Sequence, residues 1–295
     1  MQGMLYQSYC SPDTIEEALT HLNRADGARV RPIAGGTDLM VQLRERLVQT
    51  DMLVDVSGIP ELKRIWLDGH RLHLGAAATY TQLIESELVH QHAYLLAEAG
   101  RLIGGKQIQH MGTIGGNLAN ASPAGDTLPC LYALDADITI ASLEGDRHVA
   151  MSEFMRGPRK TALRPHELIT QISFDVVPEH AGSAFTKLGL RHSQAISVVD
   201  VAAVVGVLDG RIASVRVALG SVAPTIVRSP SVEQMLLRQS PSDNLLNRAA
   251  EATRHDIEPI TDIRGSAAYR LYVAKPLVRQ ALDRALERAG VSRAS

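Results

Sequence analysis

The chain is poor in cysteine and in aromatic residues, and it carries no long apolar run. Cys10 and Cys130 are its only cysteines in 295 residues. Two thiols cannot complete a four-cysteine zinc site or an iron–sulfur cluster, so the chain cannot build such a relay alone. So few cysteines also suit a reducing compartment, and the expected location is the cytoplasm. Phe, Trp and Tyr make up 4% of the residues, too few for base-stacking platforms. A formal charge of -2 offers no basic surface, so nucleic acid is not an expected partner. No stretch approaches the ~20 apolar residues of a membrane span. The start, Met1 to Tyr6, lacks the basic-then-apolar order of a secretory signal, so none is expected.

What is present is a globular composition, 45% hydrophobic, in a length that suits two or three domains. Ser11 is the expected N-cap of a first helix, with Pro12 in its first turn and Ile15, Ala18, Leu19 and Leu22 at helical spacing. Val30 to Ile33 reads as a strand. Leu39, Leu43 and Leu47 predict a helix, and Met52 to Val56 the next strand. Around Asp68-Gly69, the runs Ile65 to Leu67 and Leu72 to Leu74 read as a hairpin. Helical patterns follow over 81–87, 93–102 and 126–133, then strands over 138–141 and 168–177 with a hairpin at Glu144-Gly145-Asp146. The last third predicts antiparallel strands over 183–188, 198–208 and 212–219, with a turn at Asp209-Gly210, and then helices over 231–237, 243–253 and 266–289.

Two glycine motifs dominate: Ala34-Gly35-Gly36-Thr37-Asp38 and Thr113-Ile114-Gly115-Gly116-Asn117. Paired glycines let backbone N–H groups surround an anion, because no Cβ intervenes and φ > 0 is open to them. The first motif has the order strand, glycine turn, helix, which suits an anion beside a helix N-terminus. Two matched motifs suggest two contacts on one extended ligand such as a dinucleotide pyrophosphate. Other signatures fail. Gly100-x-x-x-x-Gly105-Lys106 is followed by Gln107, which lacks the hydroxyl of a P-loop, and its lead-in looks helical. No G-x-G-x-x-G or G-x-S-x-G occurs. His70 and His73 are read on one strand with opposite faces, and His90 and His92 in a loop or helix start. None of the four is expected to bind metal.

The run Ile33-Ala34-Gly35-Gly36-Thr37-Asp38-Leu39 resembles the first flavin-binding loop of the FAD subunit of molybdenum hydroxylases. So does the run from Ile103 to Asp126, with Gly105-Lys106-Gln107-Ile108, Thr113 to Asn117 and Ser122-Pro123. Phe185-Thr186-Lys187 with Arg191, and Asp262-Ile263-Arg264-Gly265-Ser266-Ala267-Ala268-Tyr269-Arg270, extend the likeness to the last third. That family includes xanthine dehydrogenase and carbon monoxide dehydrogenase.

The resemblance implies an α+β chain. Two α/β subdomains of the vanillyl-alcohol oxidase-like, PCMH-type FAD-binding fold (1–56 and 57–177) would precede a C-terminal α+β domain (178–295) with an antiparallel sheet and helices. Ile33 to Leu39 and Thr113 to Asn117 would hold the pyrophosphate by N–H groups and hydroxyls. Asp126 would accept from the adenosine ribose region, or cap the helix that follows it. Ile103 would pack on a ring face, Ile169 at the adenine end, and Lys187 near the isoalloxazine, where a cation favours its reduced anion; the plainer role for Lys187 is a solvated strand lysine. The family also implies partners. These are a large molybdopterin-binding subunit and a small subunit with [2Fe–2S] clusters, expected as a dimer of heterotrimers, with NAD or another acceptor taking the electrons. NAD-using members carry acidic residues shortly after the arginine, and here Arg191-His192-Ser193-Gln194-Ala195-Ile196 has none, which leaves the acceptor open. A stand-alone FAD oxidoreductase of the vanillyl-alcohol oxidase type and a flavin-free adaptor also stay open. The substrate of the complex is not written in this chain.

Overall fold

Parallel pairing organises the first sheet. In the computed structural model, which describes residues 4–24, 27–191 and 194–291, strand and helix alternate as β1 (Ser8–Cys10), α1 (Ile15–Leu22), β2 (Val30–Ile33), α2 (Leu39–Arg44) and β3 (Met52–Asp55). β3 lies between β1 and β2 and is parallel to both. Ala18, Leu19 and Leu22 bury one face of α1. Its cap is Thr14, whose side chain accepts from the Glu17 N–H at 3.2 Å. The expected Ser11 and Pro12 stand before the helix, too far from that N–H to cap it. α2 stops short of Leu47, which is exposed. Arg46 turns into the left-handed region (φ 58), and the Leu47 N–H bonds back to the Gln42 carbonyl, which closes the helix end.

The second sheet is antiparallel throughout. Its hairpin β4 (Ile65–Asp68) and β5 (Arg71–Gly75) leads into six helices: α3 (Tyr80–Glu85), α4 (Glu87–His92), α5 (Tyr94–Leu102), α6 (Lys106–Met111), α7 (Ile114–Asn120) and α8 (Thr127–Ala133). The chain then forms β6 (Asp137–Ser142), β7 (Gly145–Ala150), the short α9 (Met151–Phe154), a small hairpin β8 (Met155–Gly157) and β9 (Lys160–Thr161), and β10 (Leu168–Asp175). The order β4-β5-β10-β6-β7 makes this unit an antiparallel sheet with helices, not a second parallel α/β unit. The single helix expected over 81–87 is two, meeting at Ser86, whose hydroxyl caps α4. Gly100 sits inside α5, so the P-loop-like segment follows a helix, not a strand, and leaves it only after Leu102. His70 lies in the β4–β5 turn, not on the strand, while His73 on β5 stacks on Trp66 at 4.9 Å. His90 and His92 close the last turn of α4, and a ring nitrogen of His90 bonds the Ile84 carbonyl.

The third sheet runs β11 (Ala181–Gly189), β12 (Ser197–Leu208), β13 (Arg211–Gly220) and β14 (Val227–Arg228), all antiparallel in that order. It is backed by α10 (Pro230–Leu236), α11 (Asp243–Ala252) and α12 (Ala267–Arg288), the last capped by Ser266 on the Tyr269 N–H. Apolar clusters cross between the sheets. Ile59, Leu62, Ala77, Ala141 and Leu168 pack with α1 and β3 of the first unit. Phe185, Ala202, Val204 and Ala218 of the third sheet pack into the core of the second. The three units therefore hold one another in place, which fixes the gaps between them.

One polar knot reinforces the second of these junctions. Glu98 on α5 is buried and accepts from the Phe185 N–H at 2.9 Å, from Arg288 at 2.7 Å and from Arg284. Both arginines also donate to strand carbonyls of β11, at Phe185 and Ser183. Glu98→Ala leaves a buried N–H without an acceptor and takes the carboxylate from two part-exposed guanidinium groups, which keep only their bonds to β11 carbonyls. The expected cost is about 2 kcal/mol, discounted for that exposure. Thermal unfolding should fall by roughly 3 °C, and a change under 1 °C would show that the knot does not hold the junction.

Candidate functional site

A cleft of about 940 Å³ opens where the first unit meets the second. Its wall includes Ile33, Ala34, Gly35, Gly36, Thr37, Asp38 and Leu39, and from the facing unit Tyr80, Thr113, Gly116, Asn117, Asn120 and Arg159. The two glycine motifs thus converge, but they are built differently. In the first, Gly36 sits at φ +68, and a Cβ at Gly35 would stand 1.6 Å from the Met111 carbonyl oxygen. Only glycine lets the loop press against the end of α6. Among the described residues, the N–H groups of Gly35, Gly36, Thr37 and Asp38 meet no protein acceptor. They are donors waiting at the cleft.

The second motif is not a turn with φ > 0. It is the first turn of α7, capped by Thr113, whose hydroxyl accepts from the Gly116 N–H at 3.1 Å. Three more of its donors are taken: Ile114 by the Ala78 carbonyl, Gly115 by that of Ala76, and Asn117 by that of Thr113. Gly115 is needed because a Cβ would stand 2.6 Å from Ala76. The expectation of an N–H cradle therefore suits the first motif and fails for the second, whose N–H groups were already satisfied by packing and capping. Ile114 and Gly115 are buried and do not line the cleft.

Polar side chains tie the two walls. The Asn120 amide donates to Asp38 at 3.0 Å and accepts from Gln42 at 2.9 Å. Burial raises the Asp38 acid, and the Arg159 charge partly offsets that. Arg159 stands at the tip of the β8–β9 hairpin at φ 57, held by its own N–H on the Ala121 carbonyl. Sequence reasoning missed Tyr80, Asn120 and Arg159. None carries a local signal, because each reaches the cleft from an element whose position is set by packing.

Asp126 and Lys187 form a buried ion pair at 2.5 Å, each less than a tenth exposed. Lys187 also donates to the Leu102 carbonyl at 3.2 Å, and Asp126 accepts from the Ser197 hydroxyl at 2.6 Å. Asp126 occupies the position before α8 but its side chain makes no cap bond, because Lys187 and Ser197 hold both of its oxygens. Lys187 is accordingly not a solvated strand lysine. It lines a second cavity of about 350 Å³ with Leu102, Leu188 to Arg191, Gln194 and Ala195. In the acid-free segment 191–196, His192 and Ser193 lie outside the described residues. Ile103 is half-buried against the core of the second unit, and Ile169 is buried on β10 within it, away from the cleft wall.

The Asp262 to Arg270 run fixes this pair from behind. Asp262 binds Arg264 and Arg270, each at 2.6 Å, and Arg264 above all holds its acid well below the usual range. Arg264 donates to the Ser197 carbonyl, and the fully buried Arg270 to those of Val198 and Ser221. That grip locates the start of β12 and, with it, the hydroxyl that meets Asp126.

A large cleft with unpartnered loop N–H groups and a glycine surface too tight for any Cβ fits an anionic dinucleotide, the class of ligand an FAD-binding chain takes. The comparisons agree. The family described as the FAD binding domain in molybdopterin dehydrogenase matches residues 4–176, and the CO dehydrogenase flavoprotein C-terminal domain matches 183–285. The chain belongs to this family, the FAD-binding subunits of molybdenum hydroxylases. It is 32% identical to a putative xanthine dehydrogenase FAD-binding subunit of Escherichia coli (strain K12) over 97% of this chain and 98% of that one. The carbon monoxide dehydrogenase structure from Hydrogenophaga pseudoflava superposes with a TM-score of 0.92 at 31% identity, over 96% and 98% of the two chains. Quinoline 2-oxidoreductase from Pseudomonas putida 86 gives 0.91 at 27% identity, over 99% and 100%.

The two glycines of the first loop should respond differently to alanine. Gly36→Ala meets the left-handed backbone penalty, about 1 kcal/mol, and the flexible side chains of Ile33 and Met40 at 3.2 and 3.3 Å, which can shift. Gly35→Ala drives a Cβ into a backbone carbonyl, which must move, and should cost about 3 kcal/mol. Thermal unfolding of the two variants checks the order, and equal losses would contradict the close approach to Met111.

Proposed function

We propose that this chain carries one FAD between its first two units and works as the electron-transfer subunit of a molybdenum hydroxylase. The observation that carries the reading is the set of unpartnered N–H groups from Gly35 to Asp38 at the cleft. These donors, with the Thr37 hydroxyl, would take the pyrophosphate, and Thr113, Gly116 and Asn117 would shape the facing wall. Arg159 would add positive charge against the phosphates and offset Asp38 beside them. Ile103 and Lys187 would serve the ring end, Asp126 would act through Lys187, and Ile169 would back the adenine end. Bound FAD would supply two-electron and one-electron redox chemistry that no side chain here offers.

The division of the chain proposed with this reading is 1–56, 57–177 and 178–295. Electrons would arrive from the [2Fe–2S] clusters of a small partner subunit, and substrate would be oxidised on a large molybdopterin-binding subunit. NAD or another acceptor would remove them. The assembly proposed is a cytoplasmic dimer of heterotrimers. Among the described residues no helix is long and apolar enough to cross a membrane. Two free cysteines leave the relay to a partner. The relatives are named for xanthine, carbon monoxide and quinoline, so no one substrate is proposed.

Acid precipitation of the purified chain should release a yellow supernatant with the mass of FAD, at one per chain. Protein that stays colourless after FAD is added would overturn the reading. Substrate-dependent dye reduction should need the molybdenum and iron–sulfur subunits. Turnover by the lone chain at ordinary enzyme rates, on the order of 10 s⁻¹, would favour a self-sufficient flavoenzyme instead.

A further inference from the structure

Asp200 on β12 is fully buried, and neither of its carboxyl oxygens meets a hydrogen-bond donor. Its ladder partner on β11 is Lys187 and on β13 is Gly220. Lys187 nevertheless gives its ammonium to Asp126 and to the Leu102 carbonyl. The Ser197 hydroxyl also goes to Asp126. At Gly220 a Cβ would stand 2.1 Å from Asp200 Oδ1, so the carboxyl fills space that glycine leaves open. The cluster thus holds two carboxyls and one ammonium away from water, and the Lys187 ammonium and the Ser197 hydroxyl both go to the same carboxyl, that of Asp126. An ionised carboxyl in such a place, with no donor and a like charge beside it, is far costlier than a neutral acid.

We propose that Asp126 and Asp200 hold one proton between them in the folded protein, carried by Asp200, so that the cluster with Lys187 has no net charge and Asp200 is a positioning residue for that lysine. The groups on every side agree with this charge count. From the entry to α8 comes Asp126, and from α8 the Cys130 thiol, pushed well up chiefly by burial and so neutral. β11 contributes Lys187. α12 contributes Arg270, whose Nη donors go to the Val198 and Ser221 carbonyls and to Asp262, while its buried Nε meets no acceptor among the described residues. Burial first, then the Asp126 charge, raise the Asp200 acid well above its ordinary range, while Ser197, Lys187 and the Gly220 N–H only ease it. As an acid, Asp200 offers a donor to Asp126 and leaves the positive charge of Lys187 opposed by one carboxylate. The benefit to a flavin ring rests on the reading above that Lys187 serves it; the shared proton does not.

The test uses the purified full chain without added FAD, so it stands apart from the flavin reading. Infrared spectra at neutral pH should show a protonated-carboxyl band that Asp200→Asn removes. The second readout is stability against pH, with this sign. Unfolded Asp200 releases its proton near pH ~4, while the folded acid keeps it well above that. Wild type should therefore weaken relative to Asp200→Asn as pH rises, by about tenfold in the folding equilibrium per pH unit. The gap between the two should stop changing below about pH 4. Parallel stability curves from pH 4 to 8, or no protonated-carboxyl band in wild type at neutral pH, would overturn the proposal. If Asp200→Asn fails to fold, Asp38→Asn decides, because Asp38 is an acid outside the cluster that burial also raises: a wild-type band that persists in it supports the proposal, and one that it removes overturns it.

Discussion

The buried pair of Asp126 and Lys187 is the interaction around which the junction of the second and third units is built. Removing both charges from water is expensive and is repaid only by close geometry and further hydrogen bonds. The chain supplies those bonds from distant places. The Ser197 hydroxyl comes from β12, the Leu102 carbonyl from the end of α5, and the grip that locates Ser197 from Arg264 and Arg270. The buried Tyr80 hydroxyl is raised by burial and then by the Asp38 and Asp126 charges together. The glycine loop and the ion pair therefore belong to one electrostatic neighbourhood, although they line separate cavities.

The two glycine motifs show how similar sequences take different physical parts. Ala34 to Asp38 leaves its donors free because its glycines allow a left-handed turn and a close approach to a neighbouring carbonyl. Thr113 to Asn117 uses its glycines to lay a helix start against the Ala76 to Ala78 segment, and its donors are consumed there. The second motif then acts on the cleft through position. Asn117 accepts from Thr127, next to Asp126, and Asn120 holds Asp38. One motif presents donors and the other fixes the distance between cleft walls.

Local pattern placed most of the elements. The alternation of Val30 to Ile33, the 3.6 spacing of Ala18, Leu19 and Leu22, and the Asp209-Gly210 turn are read from neighbours in sequence, because strand, helix and turn depend on local sterics and apolar period. The misplaced boundaries also have local causes: Thr14 caps α1 in place of Ser11, and Arg46 ends α2 before Leu47. Motif likeness carried the family, since a loop that must approach backbone so closely tolerates few residues.

The sequence by itself determined the element order, the family and the first glycine loop, because each rests on interactions a few residues apart or on a long matched motif. Tertiary structure alone decided which loop keeps free donors, that Lys187 is paired and not solvated, that Asp126 is no cap, and that Arg159 and Tyr80 reach the cleft. It also decided that Asp200 is left without a donor while facing the same lysine. Those outcomes depend on which groups from different elements win the same hydrogen bonds, as when Lys187 and Ser197, 61 and 71 residues away, both choose Asp126. No periodicity or spacing in the chain records which partner wins.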